Sequence, residues 1–106
     1  MKPMETKPQA PKRMFYVPSP QLLERASLYE GELADLIRNQ AARQLCIFKG
    51  KEGWMLKVLP TWKPEFYTLI QRNKEVRYYK DLERLMQTVM KHGPLPPTLL
   101  LGEHEQ

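Results

Sequence analysis

The sequence predicts an α+β domain in the order helix, four-stranded antiparallel sheet built from two hairpins, helix. Three observations predict it. Leu22, Ala26, Tyr29, Leu33, Leu36 and Ile37 recur at three- and four-residue spacing. Between Leu45 and Tyr79 the period shortens to strand-like runs rich in aromatic and branched residues, divided by turn residues. From Leu82 to Met90 the helical period returns. A chain of 106 residues with 42% hydrophobic residues has room for one such domain around one modest core.

Residues 1–18 hold four of the ten prolines and four basic residues against one acid, and read as a disordered basic arm preceding the domain at 19–101. Ser19 followed by Pro20 is a helix start, because proline lacks the N–H that would be orphaned there. The apolar stripe carries this first helix to about Ala41, with Gly31 marking a break or bend near Tyr29 to Glu32.

Leu45 to Phe48 and Trp54 to Leu59, joined through Gly50 and Gly53, form the first predicted hairpin. Pro60 to Pro64 is a proline-bounded loop that excludes a central strand. Phe66 to Gln71 and Glu75 to Tyr79 form the second hairpin around Arg72-Asn73-Lys74, with Asn73 expected to take the positive φ of the turn. Asp81 is the expected N-cap of the last helix. Leu82, Leu85, Met86, Val89 and Met90 make its apolar face, and Gly93 and Pro94 end it. The segment Thr98 to Leu101 is too apolar for a free end and is expected to pack on the body or add an edge strand, leaving a short tail at 102–106.

The net charge of +5 is unevenly spread: residues 1–18 carry +3, 19–37 carry −3, 38–80 carry +7 and 81–106 carry −2. With both helices on one face of the sheet, alternation sends Trp54, Leu56, Val58, Val76 and Tyr78 inward and Lys57, Arg77 and Tyr79 to an open opposite face. Lys49 and Lys51 then sit at one hairpin tip and Arg72 and Lys74 at the other. Basic side chains interleaved with aromatics suit phosphate contact and base stacking, so DNA or RNA is the favoured ligand of these residues. Trp62, beside Lys63 in the proline-bounded loop, either packs or contacts a partner. An acidic protein partner is the alternative, and a homodimer through an edge strand is compatible with both.

An enzyme is not expected. The two histidines fall at a helix end, His92, and in the tail, His104, so a buried general base would have to come from elsewhere. Cys46 lies in an apolar strand with the neighbours of a core residue. There is no glycine-rich phosphate loop and no metal-ligand spacing, and no cofactor is expected. A single cysteine without a disulfide partner fits a reducing compartment, and no apolar run approaches the roughly 20 residues of a membrane span, so a cytoplasmic, membrane-free protein is expected.

The run from Tyr67 to Leu82, Tyr-Thr-Leu-Ile-Gln-Arg-Asn-Lys-Glu-Val-Arg-Tyr-Tyr-Lys-Asp-Leu, followed by Leu85, Val89 and Gly93, is a strand, basic turn, strand and capped helix. It resembles the same arrangement in small accessory proteins of conjugative plasmids and integrative elements, including partition-associated ones. The resemblance implies a bacterial mobile-element protein that regulates, partitions or inhibits by binding, and it carries no assigned chemistry to any residue.

Overall fold

The computed structural model describes residues 16–101. In chain order these form α1 (Pro20–Glu24), β1 (Ser27–Leu28), α2 (Glu30–Arg38), β2 (Ala42–Gly50), β3 (Gly53–Pro60), β4 (Tyr67–Leu69), α3 (Leu82–Met90) and β5 (Thr98–Leu101). The α+β class is as expected, but the sheet has five strands in the order β1-β4-β3-β2-β5 and is mixed. β2, β3 and β4 are antiparallel neighbours, while β1 and β5 lie parallel to β4 and β2 at the two edges.

The start of α1 follows the sequence. The Ser19 hydroxyl accepts the Leu22 N–H at 3.1 Å, and Pro20 fills the first helical position. The expected single helix to Ala41 does not form. The chain leaves the helix at Arg25, passes through β1 and re-enters as α2, so the break precedes Gly31, which lies inside α2. The cause is tertiary. The carbonyls of Ala26 and Leu28 accept the N–H groups of Thr68 and Ile70 at 3.0 and 2.9 Å, which covers an edge of β4 that a continuous helix would leave bare.

Arg25 fixes this corner through a two-pronged ion pair with Glu32, one contact of which measures 3.1 Å, and Glu32 also accepts the Tyr29 N–H at 3.0 Å. Burial works against the Glu32 carboxylate, but the Arg25 hydrogen bond, the Tyr29 amide and the Arg25 charge outweigh it and hold this carboxyl below its usual range.

Both long helices and α1 pack on one sheet face. Leu22, Leu33, Leu36, Ile37, Leu85 and Val89 from the helices meet Leu45, Ile47, Leu56, Val58, Tyr67 and Leu69 from the strands in one buried cluster. The Tyr67 hydroxyl donates to the Leu22 carbonyl at 2.7 Å, which satisfies its polar tip within that layer. α3 starts where Asp81 accepts the Arg84 N–H at 2.9 Å, buries Leu85 and Val89, and is followed by Gly93 at a φ of 142°.

The second hairpin is corrected in detail. Only β4 is a regular strand. The returning segment makes isolated bridges, Val76 to Ile70 and Tyr79 to Trp54. It fills the gap where the starts of β3 and the end of β4 diverge. The two bridges are three residues apart, which reverses the inside and outside expected from strict alternation: Tyr79 is 5% exposed and in the core, and Tyr78 is 39% exposed. The positive φ of the turn belongs to Lys74, at 72°, while the Asn73 side chain accepts the Glu75 N–H at 3.0 Å. The expected basic arm lies largely outside the described residues, as does the tail at 102–106; of the arm, Tyr16 stacks on Trp62.

Candidate nucleic-acid interface

Topology decides where the basic residues go. β2 and β4 finish, and β3 begins, at the same end of the sheet. The β2–β3 turn and the turn after β4 therefore project from one end. Lys49 and Lys51 come from the first, and Arg72, Lys74 and Arg77 from the second, with Lys80 directly after the Tyr79 bridge. All six are exposed, Glu52 and Glu75 are the acids in the same two segments, and none of the six forms an ion pair among the described residues.

Two of these cations are held over aromatic rings. The Arg77 guanidinium lies 4.7 Å from the centroid of Tyr79, and Lys49 Nζ lies 5.5 Å from that of Trp54. Trp54 and Tyr79 exchange both backbone hydrogen bonds at 2.8 Å, so the two cations stand on one cross-strand pair. Gly53 makes that junction feasible: a Cβ there would fall 2.6 Å from the Tyr79 carbonyl oxygen, and its φ is 134°.

Beside the junction opens a cleft of about 730 Å³, lined among others by Tyr29, Gly31, Gln71, Arg72, Arg77 and Tyr79. Glu30 also borders it, and that carboxylate is engaged by Lys91 at 3.8 Å and lies 3.6 Å from His92 Nε2. The cleft joins the start of α2 to the basic turn, two regions far apart in sequence.

The remaining expected residues lie elsewhere. Lys57 is on the open sheet face, half-buried, with Nζ 5.5 Å from the Phe48 ring centroid. Of Lys57, Arg77 and Tyr79, which alternation assigned to that face, Lys57 alone is there, among Cys46, Phe48, Met55 and Leu59, so the face is more apolar than basic. Trp62 and Lys63 are at the opposite end of the sheet. Trp62 stacks on Tyr16 at 5.8 Å and tilts against Tyr67 at 6.1 Å, closing the core. Lys63 Nζ donates to the Arg25 carbonyl at 3.3 Å and lies 4.1 Å from the Tyr67 ring centroid.

Tyr79 is therefore a support beneath Arg77 with little surface of its own. Lys80 and the Tyr29 and Gly31 side of the cleft were not singled out from sequence; Lys80 could have been found as the next basic residue of the same run, whereas Tyr29 and Gly31 carry no local signal. Burial pushes the Cys46 thiol up, with the Lys57 charge opposing, so it is a weak nucleophile. Among the described residues no cluster of metal-ligating side chains occurs, and no helix is long and apolar enough to cross a membrane. Compared with known proteins, the chain matches no family model, no curated protein and no solved structure.

Proposed function

We propose that this chain is a small non-enzymatic accessory protein of a bacterial mobile element that acts by binding nucleic acid through the basic end of its sheet. The observation that carries the reading is the convergence of Lys49, Lys51, Arg72, Lys74, Arg77 and Lys80 at that end without ion-pair partners among the described residues. Exposed cations without ion-pair partners on short turns are free to replace the counterions of a phosphate backbone, and the release of those counterions drives association. Arg77 and Lys49 are restrained over Tyr79 and Trp54, so less side-chain entropy is lost on contact. The mobile-element setting rests on the resemblance of the run from Tyr67 to Leu82.

Fluorescence anisotropy with a labelled single strand and a labelled duplex tests the reading. On the duplex, about four phosphate contacts give a slope near −3.6 in log K against log salt, or a loss of about a hundredfold between about 50 and 200 mM. The variant carrying Arg72→Ala, Lys74→Ala and Arg77→Ala is expected to flatten that slope by about 2.7. Absence of binding to either probe at the lower salt rejects the reading. Polyglutamate competing as well as unlabelled nucleic acid would move it to an acidic protein partner.

A further inference from the structure

We propose that β5 is a self-association edge, on which two copies of this chain join their sheets by antiparallel pairing about a twofold axis at Leu100. β5 is an outermost strand, and among the described residues nothing pairs with its outer side. Its inner side is spoken for by β2: the Leu45 N–H donates to the Pro97 carbonyl at 2.9 Å, and the parallel register sets Leu45 opposite Thr98 and Ile47 opposite Leu100. In a parallel ladder the residues that bond inward alternate with those that point away. Leu99 and Leu101 therefore bond toward β2, and the backbone N–H and C=O of Thr98 and Leu100 point outward.

Isolated edges are normally blunted by charge, proline at an outward position, a bulge or extreme shortness. β1, at the other edge, has two residues. β5 has none of these protections over Thr98–Leu101, and Leu99 and Leu100 are 47% and 49% exposed. Pro97 bonds inward through its carbonyl, and Pro96, at the outward position before Thr98, limits the open edge to Thr98–Leu101.

The occupant that fits is a second copy. A twofold axis perpendicular to the sheet must pair residues of the same face, and centring it on Leu100 makes Leu100 and its mate a hydrogen-bonded pair with Leu99 opposite Leu101 of the mate. Leu99 and Leu101 share the open face with Cys46 and Phe48, so that apolar row would continue across the junction. Charge favours the same arrangement. Lys49 and the other basic residues stand at the end where β5 finishes, and antiparallel pairing turns the two basic ends away from each other. No charged residue lies in β5 itself. In this register three residues per copy, Leu99 to Leu101, pair across the axis, a small interface that belongs to the weak, concentration-dependent class.

Analytical ultracentrifugation of the full chain, without nucleic acid, at about 5 and about 200 μM tests this, a span chosen for the weak class of interface. The weight-average mass is expected to rise from the 12.6 kDa of one chain toward twice that value. Leu100→Pro removes the outward N–H, and Leu100→Lys sets two charges opposite each other; both are expected to hold the mass at one chain. Circular dichroism identifies a variant that fails to fold, and the other then decides. Met55→Lys, on the open face at β3, is expected to leave association unchanged. A single-chain mass at both concentrations overturns the proposal, as does association that survives both Leu100 variants. Because no nucleic acid is present, the outcome is independent of the function proposed above.

Discussion

Trp62 shows how far a residue's role depends on its neighbours. A large aromatic in a proline-bounded loop suits a partner contact, yet here Tyr16 and Tyr67 enclose it and its indole N–H has no hydrogen-bond acceptor among the described residues. Trp62→Ala is expected to cost about 2–3 kcal/mol in urea unfolding, less than a fully buried tryptophan, because the ring is partly exposed. Trp62→Phe keeps the stack and removes an unpaired donor, and is expected to stay within about 1 kcal/mol of the parent protein. Neither change should alter the salt slope of nucleic-acid binding, and a flattened slope in the phenylalanine variant would return Trp62 to the interface. Glu32 permits a test by pH. Its carboxyl is held below the ordinary value of 4.5, so its contribution is present above that value and lost as pH falls through the lower, folded value. Glu32→Gln is therefore expected to cost about 1 kcal/mol at pH 7 and progressively less toward pH 3, a modest figure because both partners of the ion pair remain partly solvated. A deficit that persists unchanged at pH 3 would place the effect in packing and not in charge.

At the scale of elements, the turn after β4 lets stability and binding be separated. Lys74 holds a φ of 72°, a conformation costing about 1–2 kcal/mol for a residue with a Cβ, whereas glycine gives back about 0.5–1 kcal/mol of that as chain entropy. Lys74→Gly is expected to stabilise the fold by about 0.5 kcal/mol while lowering the salt slope by about 0.9, one phosphate contact. Thermal melts and anisotropy on the same preparation check both; weaker binding with a lower melting temperature would mean that the turn had been damaged. The same turn explains what could be read in advance. α3 was fully legible because its period, the Asp81 cap and the Gly93-Pro94 ending are local. β1 was not, because two residues become a strand only through β4, just over 40 positions away, by loop closure and not by propensity. Tyr78 and Tyr79 were exchanged because alternation assumes an unbroken ladder, and the bridges at Val76 and Tyr79 skip a step. The basic character of the site was legible in two short runs. Their meeting at one end of the sheet was not, since that follows from strand direction and order.

For the whole molecule the question is whether binding would follow total charge or its placement. A chain with a net charge of +5 attracts polyanions from any side, and that attraction is nearly indifferent to which cation is removed. A localised interface is not. Lys57 lies among apolar residues on the open face and Lys63 is tied to the Arg25 carbonyl at the far end, whereas Arg72 and Lys74 stand on the exposed turn. The pairs Lys57→Gln with Lys63→Gln and Arg72→Gln with Lys74→Gln each remove two charges, so a mechanism set by net charge weakens binding equally in both. With the interface at the basic end, the first pair is expected to bind within about twofold of the parent protein at an unchanged salt slope. The second is expected to bind about tenfold more weakly at about 100 mM salt, with a slope shallower by about 1.8. Melting temperatures are needed beside the titrations, because Lys63 also lies over Tyr67 and its loss can loosen that end. Equal effects from two folded variants would show that polarity of the surface has no part in recognition, and the convergence of the two turns would then be a consequence of topology alone.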